Sequence, residues 1–210
     1  ATSPNGNGGW FSSLKNAGLL DLIHENGIEW LNVFAVDNVL QRIADPCFVG
    51  ATITENRSVG AKVVCKNHPD EKVGVMCLKD NHPSIVEYYE LTPELRDAVD
   101  EDGEPAYNFG VILNYLFKES ELEDICENTL PLHIVEKKIP YIDDAGTLIK
   151  PEEPNGYKFE TLILDMIQMM DTCLPFEVER DKEFAPIKNK TGIDSVESAR
   201  ALLAKNGVTL

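Results

Sequence analysis

Apolar residues recur at helical spacing near the start of the chain. Phe11, Leu14, Gly18 and Leu22 predict a helix from Trp10 to Asn26, with Gly27 as its C-terminal cap. Leu31 to Val36 is a short apolar run with β-branched and aromatic members, and predicts a buried strand that ends at Asp37-Asn38. Phe48 to Ile53 is a second apolar run. Val73–Leu78 and Ile85–Tyr89 flank the turn-rich Lys79-Asp80-Asn81-His82-Pro83 and predict a hairpin. Thr92 as N-cap, Pro93 at the first helical position and Glu94 in the first turn predict a helix to Asp100. The acidic stretch Asp100-Glu101-Asp102-Gly103-Glu104 then reads as an exposed loop. Tyr107–Phe117 reads as strand turning into helix, and Leu148–Gly156, with its prolines and glutamates, as a surface loop. Lys158–Leu174 carries the strongest helical pattern, with Leu162, Asp165, Met166 and Met169 on successive turns. Ser195–Asn206 predicts a final amphipathic helix stopped by Gly207. This succession of strands, loops and helices is that of a layered α/β domain, expected as a mixed sheet flanked by helices.

The 210 residues suffice for one sizeable domain, and 43% apolar with 26% charged residues is an ordinary globular composition. A formal net charge of -17 argues against nucleic acid and anionic membranes as partners. It leaves room for a small phosphate ligand, whose charge a few lysines and a metal ion can meet. No apolar run approaches the roughly 18 residues of a membrane span. Cys47, Cys65, Cys77, Cys126 and Cys173 form no CxxC pair, which speaks against a zinc site and fits reduced thiols in a cytoplasmic protein.

Three features could carry chemistry. Pro4-Asn5-Gly6-Asn7-Gly8-Gly9 runs directly into the first predicted helix. It is either a loop that brings backbone and helix N–H groups close to a ligand or a flexible terminus. Asp37 stands at the carboxyl end of a strand, where ligands of open α/β sheets bind; it can hold a metal against a phosphate or cap a helix from Val39 onward. Among Lys62, Lys137, Lys138, Lys158 and Lys188, most are expected to be solvated. Lys188 stands out because Phe184, Pro186 and Ile187 would fix its backbone. His24, His68, His82 and His133 show no metal spacing and read as surface or loop residues. Nucleotidyl transfer needs no protein nucleophile, only positioning and charge neutralisation, and this set of groups suits it.

Taken together and in order, PNGNGG, VDNVLQRIADPCFVG, GAKVV, VGVMC with IVEYYEL, EKKIPYID, KPEEPNGYKFE and EFAPIKN resemble the UDP-N-acetylglucosamine pyrophosphorylase family over nearly the whole chain. The resemblance implies a partial nucleotide-diphospho-sugar transferase fold, Rossmann-like and GT-A-like. Residues 1–210 would be the C-terminal, sugar-binding part of the catalytic domain, with no complete second domain. It implies an enzyme that makes UDP-sugar and pyrophosphate from UTP and a sugar 1-phosphate with Mg²⁺. Position by position, Gly6 and Asn7 would touch uridine and sugar, and Asp37 the metal or phosphates. Gly74 and Glu87 would bind the hexose with Tyr88 nearby, Asn108 would face the sugar, and Lys158 and Lys188 would contact phosphate oxygens.

The chain departs from the family pattern in places. Val111 stands where the family has a sugar-holding asparagine, and Leu162 and Leu164 replace two aromatic residues. Both changes are expected to loosen the preference for N-acetylglucosamine and admit glucose or galactose 1-phosphate. The Gly-Gly-x-Gly-Thr-Arg-like loop that cradles the triphosphate does not occur, so the fragment alone is expected to lack transferase activity. Missing N-terminal strands would leave a sheet edge exposed, and with it a route to a homodimer. The alternative is a non-catalytic nucleotide-sugar-binding or assembly module.

Overall fold

The architecture follows from one long strand that receives partners on both sides. The structure is a computed structural model, and it describes residues 4–209. In chain order the elements are α1 (Trp10–Asn16), α2 (Leu20–Glu25), β1 (Trp30–Phe34), α3 (Pro46–Thr54), β2 (Val59–Cys65), β3 (Val75–Lys79), β4 (His82–Val86), α4 (Pro93–Arg96) and β5 (Phe109–Lys118). They continue with α5 (Glu119–Ile125), β6 (His133–Lys137), β7 (Tyr141–Ile142), β8 (Leu148–Ile149), β9 (Gly156–Glu160), α6 (Leu164–Gln168), β10 (Cys173–Glu177), α7 (Arg180–Glu183) and α8 (Val196–Lys205). β5 pairs with β2 along its length and with β1 and β3 on its other side. β10 adds to β2 in parallel and β4 to β3 in antiparallel, giving the expected mixed sheet in the order β10-β2-β5-β3-β4 with β1 also on β5. The main core joins sheet residues Val59, Val63, Tyr115 and Phe117 to Phe11 of α1, Leu122 of α5 and Ile167 of α6. No helix among the described residues is long and apolar enough to cross a membrane.

Where local chemistry dictates an element, the prediction holds. Asp80 and Asn81 take positive φ of 52° and 64° at the β3–β4 tip, which is what a two-residue hairpin turn needs. The Thr92 hydroxyl accepts from Leu95 N–H, and Ser195 and Ser198 form a reciprocal capping box at α8. The first predicted helix is instead two: Gly18, at φ 71°, ends the first segment, and α2 begins at Leu20. The run Phe48–Ile53 is helical, begun by Asp45, whose side chain accepts from Cys47 N–H, and by Pro46. Residues 109–118 are all strand.

The largest correction concerns Lys158–Leu174. Its first three residues belong to β9, which pairs with β6 in the register Val135↔Lys158, and its last two to β10; only Leu164–Gln168 is helix. Pairing with β6 outweighs a helical pattern that the short α6 satisfies by itself. The segment called a loop, Leu148–Gly156, begins with β8 and ends on β9.

Candidate active site

The cleft lies where the strand ends of the sheet meet two loops. A cavity of about 290 Å³, near the lower bound of ligand-sized pockets, is floored by Val111, Ile112, Leu113 and Tyr115 of β5. One end is built by the β3–β4 unit. Gly74 immediately precedes β3, and Glu87 and Tyr88 follow β4. A Cβ on Gly74 would come within 3.1 Å of Ile85 Cγ2, 3.3 Å of Val111 Cγ2 and 3.8 Å of Glu87 Oε1, so this glycine keeps the cavity open opposite the carboxylate. Burial first, then the neighbouring Glu90, push the Glu87 pKa above the ordinary glutamate value, with His133 and Lys188 pulling the other way. An ionised Glu87 is an acceptor-only group, suited to hydroxyls.

The cavity lining also carries charge, with Asp37, Asn38, Pro186 and Lys188 part of it. Two segments distant in sequence are laced together here: Ile187 N–H donates to Asp37 C=O at 2.9 Å, Asn38 Nδ2 donates to Glu183 C=O at 2.7 Å, and Ala185 N–H donates to Asn38 Oδ1 at 2.8 Å. No helix begins at Val39; the cap nearby is Asp45, on α3. Asp37 therefore does not serve as a helix cap, and it lines the cavity.

The third wall is the Gly-rich loop folded onto the segment after β9. Thr161 N–H donates to Asn5 C=O, Gly8 N–H to Thr161 C=O, and Ile163 N–H to Asn7 Oδ1 at 2.9 Å. A Cβ on Gly6 would sit 2.1 Å from Thr161 O, and one on Gly8 2.7 Å from Leu130 Cδ1. These glycines are required for backbone packing. The loop is a built wall, and Asn7, Leu162 and Leu164 present its cavity surface.

A family model described as UTP–glucose-1-phosphate uridylyltransferase matches residues 1–209. The chain belongs to this family. Mus musculus "UDP-N-acetylhexosamine pyrophosphorylase-like protein 1" is 40% identical over 212 residues, covering 98% of this chain and 42% of the relative. A solved structure from Entamoeba histolytica superposes with TM-score 0.88 at 35% identity, over 97% of this chain and 51% of that one. The uridine diphosphate N-acetylglucosamine pyrophosphorylase of Trypanosoma brucei, solved with an inhibitor, gives 0.82 at 27%, over 97% and 42%. The chain thus spans about two fifths of the curated relatives it matches. The UDP-sugar pyrophosphorylase resemblance and its nucleotidyltransferase-like fold are borne out.

Within this uridylyltransferase-family chain the cavity brings together Asn7, Asp37, Gly74, Glu87, Tyr88 and Lys188, along with Val111, Leu162 and Leu164. Three expected contacts lie elsewhere. Gly6 is consumed in packing on Thr161. Asn108 precedes β5, and its side chain accepts from Lys66 N–H at 2.9 Å, outside the cavity wall. Lys158 sits on β9, its ammonium 2.6 Å from Glu160 Oε1, so its charge is already matched. Lys62 is not solvated but wholly buried. His133 is no free surface residue either: it bridges Asp165 at 2.9 Å and Glu90 at 3.3 Å, joining the strand of the ribbon to α6 and to the turn after Glu87.

Sequence reasoning missed Asn38, Lys72 and Tyr115, all cavity-lining. The one available signal for Lys72 was its place two residues before Gly74. Among the described residues one group could gather around a metal ion, His24 with Glu119 and Glu123, and none of these lines the cavity.

Proposed function

We propose that this chain is the sugar-binding side of the catalytic domain of a uridylyltransferase that converts UTP and a sugar 1-phosphate to UDP-sugar and pyrophosphate. The supporting observation is the lining of one cavity, which holds a carboxylate acceptor, Glu87, beside Gly74, together with Asp37 and Lys188. A phosphate oxygen of the sugar 1-phosphate attacks the α-phosphorus of UTP, and the bond to the β-phosphate oxygen breaks to release pyrophosphate. Glu87 and Tyr88 hold the hexose, and Asn7 offers its amide hydrogens to uridine or sugar. Lys188 meets phosphate charge. Asp37 fits Mg²⁺, because that ion is commonly held by one or two carboxylates with substrate phosphates completing its shell. When bound it would neutralise charge on the reacting phosphates.

The cavity lining carries apolar Val111, which is beside Gly74, and Leu162 and Leu164. This favours a hexose 1-phosphate read through its hydroxyls, glucose or galactose as well as N-acetylglucosamine. The test is pyrophosphate release by the full-length protein with UTP, Mg²⁺ and a panel of sugar 1-phosphates. Release with one or more hexose 1-phosphates is expected, and none with any would refute the proposal. Residues 1–210 alone are expected to release none.

A further inference from the structure

Lys62 occupies the middle of β2 with no exposure to solvent. Its ammonium lies 2.9 Å from Asp45 Oδ2 and 2.5 Å from Glu183 Oε2, and 5.5 Å from the centre of the Phe48 ring. Arg42 approaches the same carboxylates from the solvent side, at 3.7 Å from Asp45 and 3.6 Å from Glu183. Two cations thus face two anions. Taking a lysine out of water is costly, and a buried ion pair is often no more stabilising than apolar packing of the same volume. Its best-attested use is to specify one arrangement over others.

The arrangement at stake is the phosphate end of the cavity. Asp45 closes the segment that starts at Asp37, and Glu183 opens the segment that ends at Lys188. Lys62 ties Asp45 to the Glu183 carboxylate, the Asn38 amide bonds Glu183 C=O and Ala185 N–H, and Ile187 N–H donates to Asp37 C=O next to Lys188. None of Arg42, Asp45, Lys62 and Glu183 lines the cavity. We infer that Lys62, clamped by Asp45 and Glu183, is a positioning residue that sets where Lys188 stands relative to Asp37. This rests on the reading above, in which those two residues serve the phosphates.

The cluster has a titration signature. Burial alone would raise the Asp45 pKa. Lys62, Cys47 N–H and Arg42 outweigh it and hold the carboxyl below the ordinary aspartate value. The charged groups facing Lys62 are Asp45 from the cap of α3, Glu183 from α7 and Arg42 from the segment before Asp45. Without the ammonium, two buried carboxylates share one half-exposed guanidinium, and like-charge repulsion between them favours uptake of a proton.

The experiment measures kcat and KM for pyrophosphate release by the full-length protein across about pH 6 to 9. It uses Lys62→Met, Glu183→Gln and the double variant. Lys62→Met is expected to lower kcat about 10- to 100-fold near pH 8, as misplacement of a reacting group does, with KM for sugar 1-phosphate changed less than about threefold. Its kcat should recover toward the acid end of that range, where a proton on the carboxylates replaces the lost charge. The double variant leaves one carboxylate for Arg42 and should lose that pH dependence. Unchanged kcat in a folded Lys62→Met protein, or a pH profile like the wild type's, overturns the inference. So does an equal worsening of kcat and KM. If Lys62→Met does not fold, Glu183→Gln decides: it keeps an oxygen acceptor for Lys62 and is expected to lose about three- to tenfold in kcat. Full activity there is the refuting result. A wild type that releases no pyrophosphate refutes the functional reading and this inference with it, whereas an active wild type with unaffected variants refutes this inference alone.

Discussion

Replacing Gly74 by alanine tests the sugar end of the cleft with a single methyl group. Gly74 is not among the glycines with positive φ, so the backbone accepts alanine without strain and the effect is one of contact alone. The new Cβ meets Ile85 Cγ2 at 3.1 Å and Val111 Cγ2 at 3.3 Å, closer than comfortable carbon contacts of about 3.5–4.0 Å. Both neighbours belong to strands, Ile85 to β4 and Val111 to β5, so relief requires Gly74 to shift from its own hairpin partner as well as from the floor. Overpacking of this kind costs about 1–3 kcal/mol. The methyl also stands 3.8 Å from Glu87 Oε1, in the space where a hydroxyl would approach the carboxylate. If about 1.4 kcal/mol of the cost falls on the bound state, KM for sugar 1-phosphate rises about tenfold. Asp37 and Lys188 are not among the nearest neighbours of the new methyl, so KM for UTP stays within about twofold. Initial rates of pyrophosphate release with each substrate varied in turn would show the split. Adding Val111→Ala removes the 3.3 Å contact and should recover part of the lost affinity. An unchanged KM for sugar, or equal shifts in both KM values, would refute this assignment of the two ends.

Lys188→Met should lower kcat about 100-fold, the scale of losing one preorganised group that stabilises developing charge, with secondary structure by circular dichroism unaltered. Val111→Asn restores an amide beside Gly74 and should shift the kcat/KM ratio toward N-acetylglucosamine 1-phosphate by about tenfold; a ratio unmoved across the sugar panel would remove Val111 from specificity. For His133, burial depresses the imidazole pKa, but Asp165 and Glu90 outweigh it and raise it above the ordinary histidine value. The stabilisation is therefore complete below about pH 6.5, the unfolded value, and is lost as pH climbs through the higher folded value. Thermal melting of the chain should fall over that interval, and His133→Gln should flatten the dependence.

Legibility in the sequence tracked the range of the forces involved. The Asp80-Asn81 turn and the Thr92 and Ser195 caps depend on neighbours within a few residues and were readable. The strand β9 depends on pairing with β6, and a helical pattern concealed it. Lys62 looked like any solvated lysine because its partners lie 17 and 121 residues away. Asn108 was placed at the sugar by motif, but its position just before β5 turns its side chain to Lys66 N–H. Asp37 and Lys188 could be singled out because a strand end and a proline-stiffened segment mark them locally, whereas Glu87 came only with the family resemblance; all three line the cavity.

The Asn7–Ile163 hydrogen bond carries a consequence for how the molecule is made. It joins positions 156 apart in sequence, and the Asn38–Glu183 bond joins positions 145 apart. At ribosomal speeds of about 5–20 residues per second, the second partner of Asn7 follows the first by roughly 8–30 s. For that interval the nascent Gly-rich loop has no wall to rest on. The Gly-rich wall therefore cannot form until the segment carrying Ile163 has been synthesised.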